Sequence, residues 1–191
     1  MLQHLPRAIG HTLRNRRPGL AKLAVNRRDI ADMPPSIEVS SAAFDDGGTL
    51  PVVCTADGEG HSPPLQWRGV PAGATHVLLM VEDADSPTPQ PLVHAIVPAL
   101  GHSDGELSEG ALPASGRDGA ALRMGRNSYL RPAWLPPDPP PGHGTHRYAF
   151  EVFALDAAPD VFGAPGRSHI FEIMRGHVLA KGCLIGTYER H

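Results

Sequence analysis

The chain has 191 residues, 41% of them hydrophobic and 19% charged, which fits one folded domain and excludes a disordered chain. Twenty-one glycines and 21 prolines favour short strands and many turns over a helical bundle, because both residues are poor in helix interiors. No apolar run approaches the roughly 20 residues a membrane-spanning helix needs, and two cysteines, Cys54 and Cys183, exclude a disulfide framework and are expected to be free.

The net charge of −3 is unevenly spread. Residues 1–33 carry Arg7, Arg14, Arg16, Arg17, Lys22, Arg27 and Arg28 against only Asp29 and Asp32, so the segment is basic and the remainder acidic. Leu2, Leu5, Ile9, Leu13, Leu20, Leu23 and Ala24 recur at helical spacings, and Pro18-Gly19 breaks the pattern. A partly helical basic arm over residues 1–35 is therefore expected. It has three uses open to it: to lie on its own body, to clasp a second copy in a homodimer, or to touch an anionic membrane surface. It holds no aromatic residue to stack on bases, so nucleic acid is not an expected partner. Arg14, Arg16 and Arg17 interrupt any apolar stretch, so the layout of a secretory signal is missing and a cytoplasmic location is expected.

Met33-Pro34-Pro35 marks the boundary with a body over residues 36–191. Ile37 to Ser41 alternates as a strand, Asp45-Asp46-Gly47-Gly48 is a turn, and Leu50 to Cys54 offers another short strand. Thr75 to Val81 and Leu92 to Val97 are near-continuous apolar runs of strand length. His146 to Leu155 alternates, with Tyr148, Phe150, Val152 and Ala154 on one side and Arg147, Glu151 and Phe153 on the other. Ser168 to Ala180 has the 3.6-residue period of a helix, with Ser168 as N-cap, Lys181 on its periodic face and Gly182 as the stop; Cys183 to Tyr188 then reads as the last strand. Strands and helices do not alternate, so the expected fold is an antiparallel, mainly β sandwich with one C-terminal helix.

Polar residues interrupt the apolar strands at three places. Glu82, Asp83 and Asp85 end the most apolar run; His94 sits inside another; and the proline-rich stretch from Pro136 to Pro141 feeds His146 and Tyr148, which share one strand face.

Asp83-Ala84-Asp85-Ser86-Pro87 resembles the Asp-Pro-Asp-Ala-Pro signature of the phosphatidylethanolamine-binding protein family. Ser62-Pro63-Pro64-Leu65-Gln66-Trp67, His94, the stretch from Gly142 to Tyr148, and Gly182, Gly186, Thr187 and Tyr188 resemble its other elements in the same order, over about residues 36–190. The bacterial branch is described as Raf kinase inhibitor-like. The resemblance implies a two-sheet sandwich with a small anion-binding pocket at one end. Carried over by position, Asp83, His94, His146 and Tyr148 line that pocket, and Asp85 and Pro87 shape its rim. The implied function is non-catalytic binding of a small anionic or phosphorylated ligand, such as a phospholipid headgroup, with imidazole and phenol donors meeting phosphate oxygens. Asp83 beside a phosphate implies tighter binding at lower pH, when His94 or His146 is protonated. The sequence departs from the signature at Ala84 and Ser86, and Ala95 follows the strand histidine where many relatives have a large aromatic residue.

Three alternatives stand beside this reading. The chain is a regulatory module that binds a protein partner, in the manner of a kinase or protease inhibitor; or Asp83, His94 and His146 hold a metal; or it is a hydrolase, although no Gly-x-Ser-x-Gly elbow is present. The expectation is no catalytic residues, no cofactor and no metal.

Overall fold

The computed structural model describes residues 7–114, 122–157 and 163–190. Its elements are α1 (Arg7–Leu13), β1 (Glu38–Ser40), β2 (Leu65–Arg68), β3 (His76–Asp83), β4 (Leu92–Val97), β5 (Gly105–Leu107), β6 (His146–Leu155), α2 (Arg167–Met174) and β7 (Val178–Tyr188). Two antiparallel sheets form, with strand orders β1-β2-β5 and β4-β3-β6-β7. Val39, Leu65 and Trp67 from the small sheet meet Val77, Leu79, Val81, Phe150 and Val152 from the large one, closing the core of a sandwich.

The large sheet is buried on its other face as well. Leu78, Met80, Ile96 and Phe153 pack there against Ile170 and Met174 of α2 and against Leu23, Val25 and Ile30 of the arm. This cover takes in the second side of β6: Glu151 is fully buried, because the arm lies over it. Among the described residues the arm's helical pattern is realised as α1 and two short 3₁₀ turns, Leu20–Lys22 and Ala24–Asn26, with Gly19 at φ 80° where the pattern breaks. Leu2 and Leu5 lie outside the described residues.

Hydrogen bonds to charged side chains tie the arm to the sheet. Ala24 N–H donates to Glu82 Oε2 at 2.9 Å and Val25 N–H to Glu151 Oε1 at 2.8 Å. In the opposite sense, Lys181 Nζ donates to the carbonyls of Val25, Ile30 and Ala31 at 2.7–3.1 Å. Arg167 binds Glu82 at 2.5 Å and the Lys22 carbonyl at 2.9 Å. Arm backbone that would otherwise lack partners is thereby satisfied by side chains of the body.

Two expected elements change. Residues 52–54 form a 3₁₀ turn instead of a strand, because Pro51 has no N–H to give a ladder and Leu50 has already bonded to the Thr187 carbonyl. The late helix spans only Arg167–Met174, entered at Gly166 with no side-chain cap, and Gly176 at φ 76° turns the chain out of it. Residues 178–181 join β7 instead, where Lys181 pairs with Phe153 and the ladder with β6 outweighs one further helical turn. Gly182 has a different duty from the expected stop: a Cβ there would collide with the Ile37 carbonyl, so it allows β7 to pass close beneath the chain leading into β1. Both cysteines are free thiols.

Glu151 gives the arm a pH signature. Burial, and then the charge of Glu82, push its carboxyl well above the usual 4.5. The unfolded chain releases this proton above about pH 4.5 while the folded chain keeps it, so the group lowers stability as pH rises from there. Glu151→Gln keeps the acceptor for Val25 and supplies a permanent amide hydrogen. It is expected to raise Tm by several degrees at pH 8 and to leave it unchanged at pH 4, which thermal melts at the two pH values will show.

Candidate functional site

Three strands of the large sheet deliver their polar residues to one end. Asp83, the last residue of β3, lies opposite both Leu92 at the start of β4 and Tyr148 near the start of β6. The β3–β4 register shifts at Glu82: Val81 faces Ala95 but Glu82 faces Val93, so His94 is the extra residue of a bulge. A bulge re-aims a side chain out of the normal alternation. His94 is thus turned from the strand towards the incoming proline-rich loop. Its Nδ1 donates to the Leu135 carbonyl at 2.6 Å, and Leu135 N–H returns a bond to the His94 carbonyl at 2.9 Å. Buried Asn127 shapes the approach of this loop, accepting from Tyr129 and Arg131 N–H groups and donating to the Ala133 carbonyl.

Between these elements lies a small cavity of about 30 Å³, whose lining includes Asp83, Ser86, Pro87, His94, Asp138 and His146. Four of the six residues expected at the pocket, Asp83, Pro87, His94 and His146, therefore meet here. Tyr148 stands beside it with its ring edge-on to His94 at 5.2 Å between centroids and stacked along His146 at 6.3 Å. Asp85 is turned away. Its carboxylate takes Arg147 Nε at 2.7 Å and Nη2 at 2.8 Å, with Arg17 at 3.2 Å. Burial raises its pKa, but the Arg147 hydrogen bonds and charge, with Arg17 behind them, outweigh it and hold the group below the usual carboxylate range. Asp85 is a clasp joining the arm, β6 and the loop after β3.

Asp83 and His146 belong to a longer chain of contacts. Asp83 Oδ2 meets His146 Nδ1 at 2.8 Å, His146 Nε2 meets His143 Nδ1 at 2.7 Å, and His143 Nε2 meets the Leu13 carbonyl of α1 at 2.9 Å. A carbonyl only accepts, so His143 Nε2 carries a proton. Filling all three contacts takes three protons, one more than two neutral imidazoles hold. The complete chain therefore holds one proton that offsets the Asp83 charge, and neither ring nitrogen of His146 is left over for a ligand. Burial first, and then the charge of His146, push the His143 pKa down.

Two buried polar atoms have no hydrogen-bond partner: His94 Nε2 in the cavity's lining, and the hydroxyl of Tyr148 beside it. Burial lowers the pKa of His94 against the opposing pull of Asp83, and it raises that of Tyr148, so the pair presents a neutral imidazole and a protonated phenol.

The sequence reading missed His143, Asp138 and Trp134. His143 lies within the quoted stretch from Gly142 to Tyr148, and Asp138 is the lone charge in a proline run, held by Arg190 at 2.7 Å. Trp134 packs 6.2 Å from His94 and donates to the Gly60 carbonyl, supplying from the loop an aromatic neighbour that Ala95 does not. Tyr188 bonds Asp57 and His177 bonds Asp156, both away from the cavity. Among the described residues no group of three or more His, Cys, Asp or Glu side chains is arranged to hold a metal ion, and no helix is long and apolar enough to cross a membrane.

The family model described as phosphatidylethanolamine-binding protein matches residues 40–189. The chain belongs to the phosphatidylethanolamine-binding protein family. A UPF0098 protein of Methanothermobacter thermautotrophicus is 35% identical over 154 residues, 81% of this chain and 99% of the relative. One from Aquifex aeolicus is 33% identical over 174 residues, 90% of this chain and 99% of the relative. That span exceeds residues 36–191, so the likeness reaches back into the basic arm. Among solved structures, a phosphatidylethanolamine-binding protein homologue from Chlamydia trachomatis superposes with a TM-score of 0.72 at 31% identity, covering 82% of this chain and 99% of its own. The two-sheet fold is thus that of the phosphatidylethanolamine-binding proteins.

Proposed function

We propose that this family member is a non-catalytic receptor for a small phosphorylated ligand, whose phosphate group enters the cavity beside His94. The observation that carries the reading is the pair of buried, unpartnered polar atoms there, since such groups cost free energy until something bonds to them. The geometry supports binding over turnover. The Ser86 hydroxyl pairs with Thr88 Oγ1 at 2.7 Å, and both nitrogens of His146 are engaged, so among the described residues of the cavity no hydroxyl is hydrogen-bonded to an imidazole that would activate it. A larger concavity of about 420 Å³ adjoins the cavity and shares Tyr129, Leu135, Pro136 and Asp138 with it, giving room for the organic part of a phosphate ester. Asp83 and His146 act from the wall, holding one another in place.

A second reading, a regulatory module for a protein partner, is favoured by one feature. Leu130, 75% exposed at φ 61°, follows Tyr129, which lines the pocket, and a bulky apolar residue rarely holds that backbone conformation without a use.

Calorimetric titration with inorganic phosphate at pH 6 tests the first reading. Saturable binding in the wild type, reduced at least tenfold in a His94→Ala variant that still melts cooperatively, is expected. Absence of binding in the wild type, or equal affinity in the variant, rules the reading out.

A further inference from the structure

The hydrogen-bonding roles left open at the cavity say more than that an anion fits. His94 Nδ1 is committed to the Leu135 carbonyl as a donor, so Nε2 of the neutral ring offers a lone pair. The Tyr148 hydroxyl offers a hydrogen. Among the described residues no Lys or Arg side chain lines the cavity itself, and Arg131 stands in the adjoining concavity, on the side of the ligand's organic part. The charges that do face it are already balanced: Asp83 of β3 by the proton held along His146 and His143, and Asp138 of the proline-rich loop by Arg190. Such a wall provides one acceptor, one donor and no net positive charge. A fully ionised dianion would place its lone pairs against that of His94 and its charge in a neutral, low-dielectric site.

We propose that the cavity selects a phosphate that still carries a proton, a phosphomonoester monoanion or dihydrogen phosphate, whose P–OH donates to His94 Nε2 while an unprotonated oxygen accepts from the Tyr148 hydroxyl. This rests on the phosphate-receptor reading above and narrows it. Sulfate and phosphodiesters carry no such hydrogen near neutral pH and leave His94 Nε2 unpaired, and a site built to hydrogen-bond one group strongly rejects an analogue that lacks it.

The assignment also changes the origin of the pH dependence. Asp83, His146 and Tyr148 face His94 from β3 and β6, and Asp138 from the loop; burial lowers the pKa of the ring among them and so favours its neutral form. Tighter binding at low pH then follows the ligand, whose second ionisation falls near pH 6 for a monoester, and no change of charge at His94 is needed.

Parallel calorimetric titrations of the wild type with inorganic phosphate, sulfate and dimethyl phosphate at pH 6 and pH 8 decide the matter. Phosphate is expected to bind, more tightly at pH 6, while sulfate and dimethyl phosphate bind at least 100-fold more weakly at both. Tyr148→Phe is expected to weaken phosphate about tenfold without lowering Tm, since it removes an unpaired buried hydroxyl. Glycerol 3-phosphate set against vesicles containing phosphatidic acid separates a soluble ester from a lipid monoester headgroup, and binding of either supports the assignment. Sulfate or dimethyl phosphate binding as tightly as phosphate overturns the proton-selective site while leaving an anion receptor standing. Failure of every probe overturns both.

Discussion

A chain shortened to residues 36–191 is expected not to fold. Burying Leu23, Val25 and Ile30 against the sheet contributes roughly 5–9 kcal/mol at the usual value for such side chains, which is comparable to the whole net stability of a typical domain, about 5–15 kcal/mol. Their removal also uncovers Leu78, Met80, Ile96 and Phe153 and strips Glu82 and Glu151 of the Ala24 and Val25 N–H groups. Lys181 loses all three of its carbonyl partners in the same stroke. Circular dichroism and size-exclusion chromatography of the shortened chain are expected to show aggregation or no cooperative melt. A monomer melting within a few degrees of the full chain would show that the arm is an ornament.

Arg167→Ala is expected to destabilise the full chain by roughly 3–5 kcal/mol, the usual cost of removing one partner from a buried ion pair. Arg167 is the cation that meets Glu82, a carboxylate with no exposed surface at the end of the most apolar strand. It also stacks over Phe171 at 4.4 Å and holds the Lys22 carbonyl, so three elements loosen together. The charge left on Glu82, more than the lost contacts, drives the effect. A double variant, Arg167→Met with Glu82→Gln, is therefore expected to recover most of the stability in urea unfolding, because it leaves no unpaired charge behind. A double variant as unstable as Arg167→Ala would assign the loss to packing instead.

The sequence made the sandwich readable because its central strands are written as unbroken apolar runs: Leu92–Val97 reproduces β4 in full, and His146–Leu155 reproduces β6. The second face of that sheet was not readable. Glu151 alternates like a solvent-facing residue, and only the tertiary return of the arm buries it. The same limit extended the helix to Ala180, since Val178 and Lys181 satisfy a helical period and a strand equally well until β6 is placed beside them. At the site, Asp83, His94 and His146 stood out as polar residues in apolar strands. Asp85 stood out for the same reason, yet its partner Arg147 lies one residue beyond His146, and pairing across that distance in sequence leaves no local trace. His143 likewise gains its place only when α1 presents the Leu13 carbonyl to it.

The central claim, a neutral His94 whose Nε2 awaits a hydrogen from a phosphate, is tested most directly by the ¹⁵N spectrum of the imidazoles during a phosphate titration at pH 6. The account predicts His94 in the Nδ1–H tautomer before phosphate is added, and a saturable shift of its Nε2 signal as phosphate binds. A His94 found protonated on Nε2 in the free protein, or an Nε2 signal unmoved by saturating phosphate, would contradict it.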